Sequence, residues 1–278
     1  MPKGAALTIG LNAVDPKHYS GWSGELNACE ADANDMSDIA KSAGFTVKSL
    51  LTKAGTRSRV IKEVTSAAKF LKSGDIFMLS YSGHGGQLPD LNGDEDDAQD
   101  ETWCLYDGEL VDDEIYTLLG KFAAGVRILV FSDSCHSGTA LKATFYPPAA
   151  PARLADGTSG EVRYRNMPDE AALKTYRDNK AFYDPILRNA KLKESRDAVK
   201  ASAILISGCQ DNQLSQDGTF NGLFTGTMLR VWNGGKFKGP YRSFRKAIVD
   251  RMPPDQTPNY FRVGQLNSAF EKQSPFKI

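Results

Sequence analysis

The sequence predicts an α/β fold, with a central, mostly parallel sheet and helices on both faces. Three observations carry this. Apolar runs of strand length recur along the chain, segments with helical spacing lie between them, and two of the runs end in polar clusters.

The elements follow in order. "ALTIGLN" (Ala5 to Asn12) has the continuous apolar character of a buried strand. Residues from about Asn27 to Ala43 put Cys29, Ala33, Met36, Ile39 and Ala40 on one helical face. "FTVKSLL" reads as a second strand. Thr56 to Leu71 reads as a second helix, with Val60, Val64, Ala67, Ala68 and Leu71 at helical spacing. "DIFMLSYSG" and "RILVFSDS" are two further apolar strands. The pattern then stops. From about Thr139 to Lys200 the chain is rich in Pro, Ala, Arg and Lys, with helix expected near Pro168 to Arg177 and Pro185 to Arg196, and it reads as an exposed insert. Order resumes with the strand "ASAILISGC", the helices "GLFTGTMLRVW" and "YRSFRKAIVDRM", and "TPNYF" entering a last strand. The expected organisation is a large catalytic part at 1–141, a linker at 142–200 and a smaller part at 201–278, sharing one sheet as one domain.

Composition bounds the function. Of 278 residues, 41% are hydrophobic and 24% charged, as in a globular protein. Lys+Arg and Asp+Glu balance at 34 each, so no basic excess points to nucleic acid or an anionic membrane. No apolar run has the length of a membrane span, and "MPKGAALTIGLN" lacks the apolar core and cleavage site of a secretory signal. The expectation is a cytoplasmic protein that begins at its catalytic domain, with no recruitment module before it. The four cysteines (Cys29, Cys104, Cys135 and Cys209) form no CxxC pair, which argues against a zinc ribbon or redox motif. Cys104 and Cys209 read as buried small hydrophobes.

The chemistry lies in the two polar clusters, "MLSYSGHGG" and "LVFSDSCHSG". Both fall at strand ends, where open parallel sheets bind ligands. Side chains alternate along a strand, so Ser82 and His84 project to one side, as do Asp133 and Cys135. Cys135 and His136 are adjacent and their side chains diverge, so His84 is the better partner for the sulfur. His136 reads as structural and His18 as a loop residue. A free thiol is only a few per cent thiolate, roughly, at neutral pH, and a nearby imidazole accepts its proton. The glycines of "GHGG" bring peptide N–H groups close to a substrate, so the amides of Gly85 and Cys135 are candidate oxyanion donors.

"YSGHGG" and "DSCHSG" together closely resemble the paired motifs of the metacaspases and orthocaspases, the caspase-like cysteine peptidases. His84 lies 51 residues before Cys135, close to the roughly 50 of caspases. The animal signature QAC[RQG]G is absent, which favours the metacaspase branch. "ELNACEADANDM", "DETWCLYDGELVDDEI" and "SAILISGCQDNQLSQDG...NGLFTGTML" resemble further family segments, so the likeness covers nearly everything except the linker.

The resemblance implies a caspase–hemoglobinase fold and a cysteine endopeptidase acting through a thioester acyl-enzyme. Cys135 is then the nucleophile, His84 the general acid/base, and the amides of Gly85 and Cys135 the oxyanion hole. Asp32, Ser82 and Asp133 line the first specificity pocket. Negative charge there rejects acidic side chains and pairs with Arg or Lys, so protein or peptide substrates are cut after basic residues. The family suggests a monomer.

Two segments carry secondary expectations. "DLNGDEDDAQDE" read as an EF-hand loop offers Asp90, Asn92, Asp94, Asp96 and Glu101, but Glu95 occupies the glycine position and no amphipathic helix flanks it. A solvated acidic loop is the plain alternative. The family offers a third: Ca²⁺ at Asp100, Asp112 and Asp113, with Lys142 placed where a cation would oppose it. The linker carries Lys142, Arg153, Arg163, Arg165, Lys174, Arg177, Lys180, Arg188, Lys191 and Lys193. Self-cleavage within Lys142 to Lys200 is therefore an expectation, at a site the sequence does not select, and the plain alternative is that basic residues are common in any solvated insert. The rival functions are a catalytically silent caspase-like scaffold and a calcium-responsive interaction module.

Overall fold

The computed structural model describes residues 1–93, 98–135, 163–209 and 213–278, together with two short strands at Ala152–Arg153 and Ser159–Gly160. His136, Lys142 and the acidic-loop residues Asp94, Glu95 and Asp96 lie outside the described residues, as does the side chain of Arg153.

The first half alternates as the periodicity requires. Strand β1 (Gly4–Gly10) leads to helix α1 (Cys29–Ser42), then β2 (Thr46–Leu51), α2 (Arg57–Phe70) and β3 (Ile76–Ser82). An antiparallel sheet of β4 (Gly85–Pro89), β5 (Gln99–Leu105) and β6 (Gly108–Val111) follows, then α3 (Asp112–Leu119) and β7 (Arg127–Asp133). With the short pair above as β8 and β9, the second half contributes α4 (Asp169–Asp178), α5 (Lys180–Leu187), β10 (Ser202–Ser207), α6 (Leu223–Trp232), α7 (Tyr241–Val249), β11 (Asn259–Gly264) and α8 (Ser268–Lys272).

The main sheet has the order β11-β10-β7-β3-β1-β2, parallel except where β11 pairs with β10. Alternation along each strand sorts the core into two layers. Leu7, Ile9, Phe77, Leu79, Ile128 and Val130 face the side covered by α2 and α3. Ala6, Ile76, Met78, Leu129, Phe131, Ile204 and Ile206 face α1, α6 and α7. The strands are apolar throughout because both faces are covered.

Register sets the site. Gly10 pairs with Ser82, and Ser82 with Asp133, so three strands end in one row. Ser82 and Asp133 lie on the α1/α6 face by the same alternation.

The described part of the insert is mostly exposed but is anchored to the body: Arg165, Thr175 and Tyr183 are fully buried, and Met167 and Leu187 nearly so. Tyr183 is held by His18, whose Nε2 lies 2.7 Å from the Tyr183 hydroxyl, and by the Glu109 amide, which donates to that oxygen. The second linker helix also lies earlier than expected. It runs up to Leu187 with Pro185 inside its last turn, not after Pro185. A proline favours a first turn, but Tyr183 and Leu187 supply the burial that decides the helix.

Candidate active site

Helix α1 brings the first carboxylate. Asp32, in the first turn, lies beneath the row of strand ends and accepts from Ser82 Oγ at 2.8 Å. Asp133, at the end of β7, accepts from Ser215 Oγ at 2.7 Å and from the Thr225 hydroxyl at 2.7 Å and amide at 3.1 Å. Thr225 lies in the first turn of α6, whose N-terminal amides favour an anion. Asp32, Ser82 and Asp133 thus converge.

A side chain of the chain itself occupies the place where they meet. Arg165 is 0% exposed. Its Nη2 lies 2.7 Å from Asp32 Oδ2 and 2.9 Å from Asp217 Oδ1, and its Nη1 lies 2.9 Å from Asp133 Oδ2 and donates to Ser82 Oγ at 2.8 Å. Burial opposes the guanidinium charge, but Asp133, Asp32 and Asp217 outweigh it and raise its pKa further. Burial raises Asp32 to about 6, with Asp133 adding to the rise and Arg165 opposing it. Gly222 closes the pocket: a Cβ there would stand 2.5 Å from Arg165 Nη2, so only glycine leaves room.

The backbone around Arg165 is equally engaged. The amides of Gly85 and Cys135 both donate to its carbonyl oxygen, at 2.9 and 3.2 Å. Its own amide donates to Ser215 O, Asp217 N donates to Arg163 O, and Met167 N donates to Gly85 O. Residues 163–167 therefore lie as an added strand between the 215–217 segment and Gly85. At position 85 a Cβ would fall 1.6 Å from Cys135 O, so glycine is what allows the "GHGG" turn to reach the end of β7.

His84 and Cys135 each lie two residues past the Ser82–Asp133 pair, and the amides of Cys135 and of Gly85, the residue after His84, meet at the Arg165 carbonyl. His84 Nε2 lies 3.0 Å from Gly24 O. A carbonyl only accepts, so Nε2 carries the hydrogen and Nδ1 the lone pair. Nδ1 is buried without a hydrogen-bond partner among the described residues, and the Asn166 backbone is close enough to act on the ring. Burial lowers His84 to about 4, with the Gly24 carbonyl opposing, so the ring is neutral at pH 7. Trp22 packs over it at 4.7 Å between ring centroids. The Cys135 sulfur is buried and accepts from Ser215 N at 2.7 Å.

The described carboxylates of the acidic segment are hydrogen-bonded within the chain. Asp113 accepts from Asn92 Nδ2 and from Ser195 Oγ, both at 3.1 Å, and Asp112 Oδ1 accepts from the Asp113 amide. Among the described residues no three His, Cys, Asp or Glu side chains gather as a metal requires. Asp100 is buried in β5, paired with Leu88.

Asp217 escapes the sequence reading, and Arg165 enters it only as one of the basic residues of the insert. The segment "LSQDG" holds Asp217 and "RYRNM" holds Arg165, but neither position is marked except by its charge. An acid after the second half's first strand, facing an arginine in the insert, was the available signal.

The crystal structure of protein GSU0716 from Geobacter sulfurreducens superposes with a TM-score of 0.90 at 62% identity, covering 100% of this chain and 99% of that one. Caspase-1 from Spodoptera frugiperda, at 13% identity and a TM-score of 0.55, covers 95% of this chain and 86% of its own and shares the fold. Metacaspase-1 of Emericella nidulans is 27% identical over 96% of this chain and 70% of its own length, and metacaspase-1 of Coccidioides immitis is 29% identical over 95% and 61%. The caspase domain matches residues 3–273, and the chain therefore belongs to the caspase-domain family, with the metacaspases as relatives, as a cysteine-type endopeptidase.

Proposed function

We propose that the enzyme cleaves after arginine or lysine with Cys135 as nucleophile and His84 as base, and that Arg165–Asn166 is its own first substrate bond. One observation supports this above the rest: a buried arginine pairs with three carboxylates while its carbonyl oxygen receives two amides, those of Gly85 and Cys135. That is the arrangement a peptide bond needs before attack.

The Cys135 thiol turns from Ser215 and gives its proton to His84 Nδ1. The sulfur adds to the Arg165 carbonyl carbon, and the oxygen's negative charge is held by the two amides. The C–N bond to Asn166 breaks, and His84 returns the proton to the leaving nitrogen. Water, deprotonated by His84, then splits the thioester and restores the thiol. Asp32, Asp133 and Asp217 select the side chain: Arg presents a fork that reaches all three, and Lys a single charge.

Until the strand leaves, Arg165 fills the pocket that any other substrate needs, so we also propose that the uncut chain is self-inhibited. Calcium at Asp100, Asp112 and Asp113 remains a separate proposal. The described donor set does not fit the ion by itself, and no step above passes through it. Calorimetry with Ca²⁺ on the wild type and Asp113→Ala tests it.

The deciding experiment is mass spectrometry of the purified chain incubated at neutral pH. The expected product begins at Asn166 and is missing from Cys135→Ala and His84→Ala proteins. A Cys135→Ala chain cut at the same bond under clean conditions rejects the assignment.

A further inference from the structure

On the far side of the same bond lies a second pocket. Met167, two residues after Arg165, is 2% exposed. Its side chain packs with Val14, Tyr19 and Cys104, all buried, and against the partly exposed Trp22. Its backbone is fixed by the bond from Met167 N to Gly85 O at 2.8 Å, so the side chain's entry point is set relative to the Arg165 carbonyl. The wall is apolar even where it carries polar atoms. The Tyr19 hydroxyl is spent on Leu105 O at 2.7 Å, leaving its ring to the pocket. The Cys104 thiol is buried, and burial keeps it protonated by raising its pKa.

We propose that this is a specificity pocket of the enzyme, taking a long apolar side chain, Met or Leu, at the second position after the cut. This rests on the reading of Arg165–Asn166 as a substrate bond. Val14, Tyr19, Trp22 and Cys104 lie in the catalytic part, in the loop between β1 and α1 and on β5, while Ala171 and Ala172 at the start of α4 close the wall from the insert. An acidic side chain there loses water and meets no partner among the wall residues, whereas an apolar one fills the space Met167 fills now. Trp22 is shared: it borders Met167 on one side and packs over His84 on the other. A substrate is therefore read on both sides of the bond, by charge before it and by apolar volume after it.

The test uses quenched fluorescent peptides of the form Tyr-Arg-Asn-X, with X as Met, Leu, Ala or Asp, given to the protein after incubation at neutral pH has cut the Arg165–Asn166 bond, beside a Tyr-Asp-Asn-Met peptide. The same choice is made in the chain itself with Met167→Leu and Met167→Asp, following the cut by mass spectrometry. Melting of both on a Cys135→Ala background shows whether they fold. The expected result is that kcat/KM for Met and Leu exceeds that for Asp by about tenfold or more, and that folded Met167→Asp is cut correspondingly slower than Met167→Leu. Equal rates for all X, with arginine still required, overturn the pocket and leave the arginine reading intact. Cutting of the Tyr-Asp peptide in place of the Tyr-Arg peptides overturns the arginine reading. No cleavage of any peptide, and none of the chain, overturns both. If Met167→Asp alone fails to fold, the peptide series decides.

Discussion

The Arg165 guanidinium lies 2.9 Å from Asp217 Oδ1, a carboxylate 52 residues further along the chain and beyond the strand that follows the insert. The pocket is thus closed from both halves of the molecule. Asp217 also accepts from the Asn27 amide at 2.7 Å, which fixes its carboxylate against the loop before α1. Removing its charge while keeping its shape isolates its part in selection. Asp217→Asn is expected to lower kcat/KM on an Arg-ended fluorogenic peptide by about thirtyfold, or roughly 2 kcal/mol, the lower range for a buried charge partner. Steady-state kinetics on that peptide provide the check, and unchanged turnover would remove Asp217 from the pocket.

Arg165 itself carries two roles that one substitution separates. In Arg165→Ala the bond to Asn166 should survive incubation, and mass spectrometry reads this directly. The same change leaves three carboxylates facing one another without their cation. Chemical denaturation should therefore show a loss of about 3 kcal/mol, as when one partner of a buried ion pair is deleted. Arg165→Lys should restore part of both.

The pH profile of self-cleavage follows from Asp32. Its carboxyl, raised to about 6 by burial, must be ionised to hold the guanidinium. Cutting should then fall as pH drops through 6, while His84, lowered to about 4, is still neutral in that range. Asp32→Asn should lower the plateau and move the acid limb to lower pH. Single-turnover rates between about pH 4.5 and 8 give the comparison. A limb unchanged by Asp32→Asn would assign it to another group.

Glu109 predicts a different pH effect, on stability. It is fully buried on β6, accepts from the Thr102 hydroxyl at 2.6 Å, and burial pushes it up to about 7 from an ordinary 4.5. The folded chain holds this proton longer than the unfolded one. Its contribution is therefore complete below pH 4.5 and is lost as pH rises through 7. On a Cys135→Ala background, denaturation at the two ends of that range should differ by up to about 3 kcal/mol from this group. Glu109→Gln should remove that dependence.

Much of this was readable from the chain. The strands of the main sheet are apolar over their whole length because both faces are covered, and that signal is local. His84, Cys135 and Gly85 stood out because two strand ends carried the right atoms. Asp32, Ser82 and Asp133 came from resemblance, and the Gly10–Ser82–Asp133 row gives the physical reason they meet. What was illegible depends on contacts between distant segments. The insert reads as exposed because its composition is polar and proline-rich, yet Arg165 is buried by charge pairing, not by apolar character, and Tyr183 packs with Leu88, Val111 and Leu187 with its hydroxyl between His18 and the Glu109 amide. Hydrophobic periodicity does not register an arginine whose burial depends on three carboxylates elsewhere. The later helix was misplaced because Pro185 was read as a start, when the tyrosine before it anchors the turn.

Strand β10 follows the insert in sequence but lies inside the sheet, paired with β7 from Ser202 beside Arg127 to Ser207 beside Ser132, with β11 on its other edge. Scission at Arg165 therefore yields a two-piece molecule and not two proteins. A denaturing gel should resolve the fragments while native mass stays that of the intact chain, and the severed ends gain freedom without the scaffold coming apart.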